Sequence, residues 1–322
     1  MNNLIEKARH LPMRRPVQTI SIDPVTLDAR FRPQPLEMRI TAPVDGQDLP
    51  IVLFSHGDGP SLYLPSKDGY GPLVSFLASQ GFAVIQPTHA NSKVGGLPHD
   101  QPGAPLFWRM RVDEMKHIID QLDAIEAKAP FLAGRLDHDR IAAVGHSMGG
   151  QTVGMLLGAR LSDPKRPEDT DVSVIEARIK TGVLLAPPGR GGDNLSDFAR
   201  ENFSELNPDY AHLSMPALVV VGDEDVNPFM TVRGAEWYRA AYEDGPGAEH
   251  LLSLARGKHG LGGIAGYDAK ETGDEDPDRL AVVQRATSAF LYSHLYYDDP
   301  SWPRTLEALE ANAAALATVE TK

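Results

Sequence analysis

Residues 141–150 read IAAVGHSMGG, and small and apolar residues lead here directly into a serine, Ser147, that is flanked by glycines. Gly145 and Gly149 stand two positions before and two positions after Ser147, which is the G-x-S-x-G spacing of a sharp turn from a strand into a helix. Such a turn leaves no room for side chains at the two glycine positions, and it exposes the serine hydroxyl. The stretch therefore predicts a buried strand over 141–145, a helix from Met148, and a nucleophilic serine between them.

The composition limits the classes of partner. The 322-residue chain has a formal net charge of −13, which argues against nucleic acid or an anionic membrane surface, since both require a basic protein face. It contains no cysteine, which excludes disulfides and thiolate chemistry and suits a reducing compartment. The first residues, MNNLIEKARHLPMRRPV, hold no apolar stretch of signal-peptide length, and no apolar run is long enough to span a membrane. We therefore expect a cytoplasmic protein.

Short apolar segments alternate with longer helical segments along the chain. Near-continuous apolar runs such as 183–186 and 219–222 predict strands that are buried on both faces, hence an α/β fold with a mostly parallel sheet between helices. The first two strands follow each other without a helix, which predicts an antiparallel start. The predicted strands are 17–22, 36–42, 51–55, 83–86, 141–145, 181–186, 217–222 and 250–255, and the predicted helices are 71–80, 106–129, 148–160, 230–242, 280–296 and, on the surface, 302–318.

A serine nucleophile needs a base to take its proton and a third group to hold that base. In an open α/β sheet both partners are expected at the carboxyl ends of later strands. The seventh predicted strand runs into Asp223, Glu224 and Asp225, of which Asp225 is placed to turn back over the sheet edge. The last predicted strand leads to His259 among glycines. The chain order therefore predicts a triad of Ser147, His259 and Asp225.

The attacked carbonyl would become an oxyanion, which needs preset N–H donors. We predict that the donors are the backbone N–H groups of Met148 and Asp58, the latter in the turn FSHGDGP that follows the strand over 51–55. A carboxylate that faces the oxyanion would oppose it. We therefore expect the Asp58 side chain to point away, toward a positive or hydroxyl partner.

Loops above the sheet are expected to form the pocket for a small hydrophobic substrate. Candidate pocket residues are His56, Tyr63, His89, Trp108, Pro188, Phe229 and Leu261. The segment 260–278 is glycine-rich and then acidic, which is typical either of a mobile flap beside His259 or, as we favour, of a solvated loop. The histidines and aspartates of 56–58 and 89–100 fit no compact metal motif, and no phosphate-binding glycine motif follows a strand. We therefore expect neither a metal nor a cofactor.

With these motifs in place, the chain resembles an α/β-hydrolase over residues 36–296. Within that superfamily it is similar to the branch of platelet-activating-factor acetylhydrolase, chlorophyllase and dienelactone-hydrolase-like proteins. This resemblance implies hydrolysis of carboxylic esters or lactones through an acyl-serine intermediate. The stretches that carry it are FSHGDG (54–59), LASQGFAVIQPTH (77–89), RVDEMKHIIDQL (111–122), GRLDHDRIAAVGHSMGG (134–150), PALVVVGDEDV (216–226) and GKHG (257–260).

Three departures from these relatives bear on the site. Dienelactone hydrolases carry a cysteine nucleophile, which this chain lacks. The acetylhydrolases place the triad acid after the strand that follows the helix behind the nucleophile. That strand ends here in LLAPPG (184–189), so Asp225 is the natural acid and Asp193 the reserve. Polyester hydrolases similar to cutinases share the GHSMGG string, but they carry a tryptophan near the position of Pro188, which weakens a polyesterase assignment.

The resemblance implies three regions: an N-terminal extension with the first strand (1–35), a catalytic α/β-hydrolase domain (36–298) and a C-terminal helical tail (299–322). The short insertion after the strand over 181–186 argues against a large cap domain. A serine esterase or lactonase is the leading hypothesis. An acyltransferase or lyase would use the same triad, whereas a non-catalytic binding module on this fold would not need one.

Overall fold

The computed structural model describes residues 4–58, 63–266 and 273–322. The strands in these ranges are β1 (Thr19–Leu27), β2 (Leu36–Pro43), β3 (Leu49–Ser55), β4 (Ala83–Pro87), β5 (Leu136–His146), β6 (Arg160–Leu161), β7 (Val172–Ser173), β8 (Ile179–Leu185), β9 (Pro208–Asp209), β10 (Ala217–Gly222), β11 (His250–Leu254) and β12 (Ala317–Thr321). The helices are α1 (Gly71–Ser79), α2 (Trp108–Asp120), α3 (Leu122–Lys128), α4 (Met148–Leu156), α5 (Asp197–Asn202), α6 (Ala240–Asp244), α7 (Pro277–Leu295) and α8 (Ser301–Asn312). Short 3-10 turns lie at Ala8–His10, Ser66–Asp68, Pro130–Leu132, Gly192–Asn194, Tyr210–His212 and Ala235–Arg239.

A nine-stranded sheet crosses the described part of the chain in the order β1-β2-β4-β3-β5-β8-β10-β11-β12. The neighbours from β4 to β11 are parallel. β1 and β2 pair antiparallel, and so do β2 and β4. The predicted fold class, a mostly parallel sheet with an antiparallel start, is therefore confirmed, with one strand more than the eight predicted.

The additional strand comes from the C-terminal tail. The predicted helix over 302–318 is too long, because α8 ends at Asn312 and residues Ala317–Thr321 form β12, which pairs antiparallel with β11. Three of the five residues of ATVET are β-branched, and such residues favour a strand. The tail thus completes the far edge of the central sheet as well as packing a helix against α7.

Three other predicted helices have different bounds. The predicted helix over 106–129 begins at Trp108 and breaks at Gln121, whose φ of −114° is not helical, so it forms α2 and α3. The helix predicted over 148–160 ends at Leu156, and Gly158 follows with a φ of +122°. A 3-10 turn and the five-residue α6 replace the helix predicted over 230–242. Hydrophobic periodicity therefore predicted longer helices than the structure has, because non-helical backbone at Gln121 and glycines such as Gly158 interrupt or end them.

The core lies on both faces of the sheet and fixes the place where functional loops meet. Every residue of β3 and β10 is buried, as the continuous apolar runs predict. All nine residues of α4 are buried as well, because this helix packs on β5 and β8. The parallel strands β3, β5, β8, β10 and β11 end at the same edge, so the loops after them converge there.

The insertions between strands are small in the described chain. Residues 186–216 hold two 3-10 turns, the six-residue α5 and β9, and β9 joins β6 and β7 in a separate three-stranded sheet. These short elements stand where a large cap domain would begin. A search of the described residues for a helix of bilayer-spanning length and apolarity finds none.

Candidate active site

Ser147 stands at the sharp turn between β5 and α4. Its backbone has φ 54° and ψ −122°, a conformation that non-glycine residues rarely adopt and that is held here by the surrounding packing. A Cβ on Gly145 would lie 2.1 Å from the carbonyl oxygen of Gly149, and a Cβ on Gly149 would lie 1.9 Å from that of Ser55. The two glycines are therefore required by close backbone approach, which is the physical basis of the G-x-S-x-G pattern.

His259 and Asp225 meet at the ends of two adjacent strands. Nδ1 of His259 lies 2.7 Å from Oδ2 of Asp225, whose side chain is 2% exposed. The loops that carry them are joined, since the N–H of Glu224 donates to the carbonyl of Gly257 over 2.9 Å. Because the carboxylate accepts from Nδ1–H, a base role for His259 would fall to Nε2.

The structure also separates Asp225 from its alternatives. Asp223 and Glu224 are exposed, and so is Asp193 in the 3-10 turn Gly192–Asn194. Ser147 and His259 line one cavity, whereas Asp225 lies behind the imidazole. This arrangement brings the three residues of the predicted triad to one edge of the sheet.

Tyr70 and His146 tie the loops around Ser147 together. The N–H of Gly57 donates to the Tyr70 hydroxyl over 3.0 Å, and that hydroxyl donates to Nδ1 of His146 over 2.8 Å. Nε2–H of His146 donates to the carbonyl of His259 over 2.8 Å. Burial lowers the pKa of His146 to about 3, so the ring is neutral and suits one donor and one acceptor nitrogen. The turn at Gly57 and the loop of His259 are thus joined through Tyr70 and His146, the residue before Ser147.

Two backbone segments present N–H groups beside Ser147. Met148 is the first residue of α4, so its N–H belongs to the positive end of a helix. On the other side a Cβ on Gly57 would lie 3.3 Å from Cβ of Ser147, which places the turn of Gly57 and Asp58 next to Ser147. Gly57 uses its N–H for Tyr70, so Asp58 is the turn residue whose N–H we assign to an oxyanion.

The Asp58 side chain is held by an amide, where the sequence predicted a cation or a hydroxyl. Oδ1 of Asp58 accepts from Nδ2 of Asn91 over 3.0 Å. The same amide nitrogen lies 3.8 Å from Sδ of Met148. On its other side, Oδ1 of Asn91 accepts from Nη1 of Arg111. Asn91 therefore bridges both residues that present the proposed oxyanion donors, and it links Asp58 to a guanidinium.

A buried polar network lies beneath this turn. Arg111 is fully buried and donates to the carbonyl of His56, to Oγ of Ser55 over 2.9 Å and to Oγ1 of Thr152 over 3.0 Å. Burial lowers its pKa to about 10, so the guanidinium remains charged at neutral pH. Glu114 and Asp58 both oppose that shift, the first more strongly.

The network continues to a second buried cation. Oγ of Ser55 donates to Nε2 of His89 over 2.9 Å, and Nδ1–H of His89 donates to Glu114 over 2.6 Å. Arg32 reaches the other oxygen of Glu114 over 2.7 Å. Burial raises the pKa of Glu114 to about 7, and the two arginines oppose that rise. Burial also lowers the pKa of His89 well below its usual value, so the imidazole is neutral.

The cavity above Ser147 has a volume of about 260 Å³. Most of the side chains around it are apolar or aromatic. Besides the hydroxyls of Ser147, Tyr70 and Tyr238 and the rings of His146 and His259, its polar groups are two carboxylates and one amide. Its described lining includes Leu106, Met148, Pro188, Phe203, Leu206, Met230, Trp237, Tyr238 and Ala265, together with Asp58, Asn227 and Glu275. Such a lining suits an uncharged, largely apolar molecule.

Of the seven candidate pocket residues, the structure places Pro188 in the cavity lining. His56 and His89 lie in the buried network, where the N–H of His89 donates to Nε2 of His56 over 3.0 Å. The remaining four lie outside the described lining: Trp108 and Leu261 are buried, and Tyr63 and Phe229 are 81% and 74% exposed. In three cases a residue one or two positions away, Leu106, Met230 or Gly260, lines the cavity instead.

The segment predicted as a flap or solvated loop, 260–278, is described only in part, since 267–272 lie outside the described residues. Asp274 secures its far end, because its carboxylate accepts from the N–H groups of Lys258 and Gly262 over 3.1 and 3.2 Å. Arg279 approaches the other oxygen of Asp274 at 3.4 Å. Both described ends of the segment are thus held next to His259.

Sequence reasoning missed the aromatic side of the cavity. The ring of Tyr238 lies 5.4 Å from that of His259, and Trp237 packs edge-on against Tyr238 at 5.1 Å. Trp237 also donates from Nε1 to the carbonyl of Arg190 over 2.9 Å, which brings a tryptophan beside Pro188 from a distant part of the chain. The one available signal was the pair of aromatic residues at 237–238 after the predicted acid.

In the part of the chain that the structure describes, no three histidine, aspartate or glutamate side chains are grouped as ligands for a metal ion. A family model described as "Alpha/beta hydrolase family" matches residues 52–321. No curated protein matches the chain. The family match runs from within β3 to the end of β12 and includes every described residue that lines the cavity, whereas Arg32 of the buried network lies before it.

Proposed function

The chain belongs to the alpha/beta hydrolase family, and we propose that it is a serine hydrolase that cleaves a carboxylic ester or a lactone through an acyl-serine intermediate. One observation carries the proposal most directly. Ser147 occupies the strained turn before α4 and shares a cavity with His259, whose Nδ1 lies 2.7 Å from the buried carboxylate of Asp225. This is the set of roles that a serine nucleophile requires.

In the proposed first step, Oγ of Ser147 attacks the carbonyl carbon of the ester while Nε2 of His259 takes the hydroxyl proton. The electron pair of the C=O bond moves to oxygen, and the N–H groups of Met148 and Asp58 stabilise the oxyanion. When the tetrahedral intermediate collapses, the C–O bond to the alcohol breaks and His259 returns its proton to the alcohol oxygen. Asp225 stabilises the imidazolium during both transfers.

In the second step, His259 takes a proton from water, and the hydroxide attacks the acyl group on Ser147. The acyl-serine bond breaks, the proton returns to Oγ of Ser147, and a carboxylic acid leaves. A lactone follows the same course, except that the alcohol stays attached to the acyl chain and the product is a hydroxy acid. No external cofactor enters either step.

The cavity supports a neutral, hydrophobic substrate. Apolar side chains such as Phe203, Met230 and Trp237 form most of its lining, and the two carboxylates of Asp58 and Glu275 would repel an anion. The chain's net charge of −13 acts in the same direction. The similarity to the acetylhydrolase, chlorophyllase and dienelactone-hydrolase-like branch supports esters or lactones as the substrate class within the family.

The test is covalent labelling. A fluorophosphonate should add to Ser147, as found by mass spectrometry of the labelled peptide, and it should abolish hydrolysis of p-nitrophenyl esters. Ser147→Ala should remove both labelling and hydrolysis, with a loss in turnover of about a million-fold. Ser79→Ala is the matched control, because the Ser79 hydroxyl donates to the carbonyl of Phe76 within a helix that contributes no lining residue to the cavity.

Full activity of Ser147→Ala, or labelling at another residue, would refute the proposal. The acceptor can be examined in the same assay by adding methanol or a longer alcohol to the ester. Free acid as the dominant product supports a hydrolase, whereas a dominant transfer of the acyl group to the alcohol supports an acyltransferase. A panel of esters with graded acyl length, together with small and macrocyclic lactones, would then define the substrate.

A further inference from the structure

The carboxylate of Asp58 poses an electrostatic problem at the proposed site. It belongs to a residue whose N–H we assign to an oxyanion, and it lines the same cavity as Ser147. A free carboxylate at that place would repel the negative charge that develops on the substrate oxygen. Something must therefore hold the side chain of Asp58 away while its N–H stays directed at the substrate.

We propose that Asn91 and Arg111 form a clamp that holds the Asp58 carboxylate off the reacting carbonyl oxygen and keeps the oxyanion donors in place. The proposal rests on the proposed function, since it concerns the same oxyanion. Its geometry is a chain of two hydrogen bonds: Nη1 of Arg111 donates to Oδ1 of Asn91, and Nδ2 of Asn91 donates to Oδ1 of Asp58 over 3.0 Å.

Arg111 is suited to anchor this clamp because it is fully buried and its side chain makes four hydrogen bonds. Its donors reach the carbonyl of His56 in the oxyanion turn and Oγ1 of Thr152 on α4. The Thr152 hydroxyl in turn donates to the carbonyl of Met148 over 3.1 Å. One guanidinium thus contacts both backbone segments that present the proposed donors, and neither segment can shift without breaking buried hydrogen bonds.

The charges fit the same role. None of the described ion pairs joins Arg111 to a carboxylate. Asp58 is connected to Arg111 through the neutral amide of Asn91. Both Glu114 and Asp58 raise the pKa of Arg111 against the effect of burial. A positive charge beneath the turn therefore offsets the Asp58 carboxylate and favours negative charge on the substrate oxygen above it.

Asn91 is the residue to change, because Arg111 is too deeply buried for a clean variant. Asn91→Ala should lower kcat by about 10- to 100-fold with a smaller change in KM, since the clamp acts on the transition state. The upper bound is the loss of one whole oxyanion donor, about 100- to 1,000-fold. The rise of activity with pH should also move to higher pH, because a released carboxylate in the cavity would stabilise the protonated form of His259.

The double variant Asn91→Ala/Asp58→Asn separates a clamp from a merely structural role. If Asn91 acts by restraining a charge, removing the charge should recover about tenfold of the loss in kcat and reverse the shift in pH profile. Asp58→Asn alone should lower kcat by about two- to tenfold, since it keeps an acceptor for Asn91 but loses the attraction to Arg111. Tyr292→Phe is the control for stability, because it removes a buried hydrogen bond of 2.7 Å to Gln80, outside the described cavity lining.

The four variants and the parent are compared by p-nitrophenyl butyrate hydrolysis, by the rate of fluorophosphonate addition to Ser147, and by melting temperature. Recovery in the double variant and a normal Tyr292→Phe rate support the clamp. The clamp is refuted if Asn91→Ala labels Ser147 and turns over within about twofold of the parent, or if the double variant is no better than Asn91→Ala. Failure of the parent to label at Ser147 refutes the proposed function and the clamp together.

Discussion

The Asp225→Asn variant keeps the shape of the side chain and removes its charge from His259. In the structure Oδ2 of Asp225 lies 2.7 Å from Nδ1 of His259, and the carboxylate is 2% exposed, so water does not replace the lost charge. An amide nitrogen can donate to Nδ1, which moves the ring proton to Nε2 and leaves Ser147 without a base. We expect kcat to fall about ten-thousand-fold, the loss that this change causes in serine proteases.

The size of this effect can be compared with that of neighbouring acids. A ten-thousand-fold loss corresponds to about 5.5 kcal/mol of transition-state stabilisation, at 1.36 kcal/mol for each factor of ten. Asp223→Asn and Glu224→Gln change exposed carboxylates, which act on the imidazolium only through a field screened by water and salt. We expect each of them to lower kcat by a few-fold at most. Asp193→Asn, at an exposed 3-10 turn, should be nearly silent.

The assay is steady-state hydrolysis of a p-nitrophenyl ester from pH 5 to 9, with the concentration of active sites measured by fluorophosphonate titration. Melting temperatures show whether each variant is folded. The parent activity should rise with pH in one step as His259 loses its proton. If Asp193→Asn is crippled while Asp225→Asn stays within about tenfold of the parent, the acid lies after β8, as in the acetylhydrolases, and the assignment of Asp225 is wrong.

Two further predictions concern other residues. Tyr70→Phe leaves the Gly57 N–H without its acceptor and Nδ1 of His146 without its donor, so kcat should fall about tenfold and the melting temperature should drop. Tyr292→Phe, which removes a hydrogen bond elsewhere, should lower only the melting temperature, and equal kcat values in the two variants would contradict the prediction. Burial raises the pKa of Glu205 to about 7, so the folded protein holds this proton more tightly than the unfolded chain, and stability is lost as pH rises from the ordinary glutamate range toward about 7. Glu205→Gln should therefore raise the free energy of unfolding at pH 8 by up to about 3 kcal/mol, and it should change it little at pH 4. Calorimetry at the two pH values checks this, and an equal difference at both would refute it.

The sharp turn at Ser147 and the sheet could be predicted because their sequence signals are local. The glycines around Ser147 are required by close contacts within the same turn, such as that between Gly145 and Gly149. Their spacing is therefore visible within ten residues of sequence. The buried strands show as continuous apolar runs for the same reason. The chain order of serine, acid and histidine follows from the order of strands, and the structure brings these three residues to one edge.

The pocket could not be predicted residue by residue, because strand ends specify a loop but not the direction of a side chain. In the loops beyond the strand ends, residues one or two positions apart have different surroundings, so an error of that size moves a candidate from the cavity to the core or the surface. His56 is buried beneath the turn while Asp58 lines the cavity, and Phe229 is exposed while Met230 lines it. The partners of Tyr70 and Trp237 lie far away along the chain, and no local pattern indicates them.

Three buried histidines beside the site determine how its pH dependence should be interpreted. Burial lowers the pKa of His146 to about 3 and holds the pKa values of His56 and His89 well below the usual range for histidine. Each ring has hydrogen bonds that fit a neutral imidazole, with one nitrogen donating and the other accepting. These rings therefore stay neutral where an ordinary histidine titrates, whereas Glu114, which accepts from Nδ1–H of His89, changes its protonation between pH 5 and 8 because burial raises its pKa to about 7. A step in activity within that interval therefore has two candidate groups, Glu114 in the buried network and His259, the imidazole that the structure pairs with the carboxylate of Asp225.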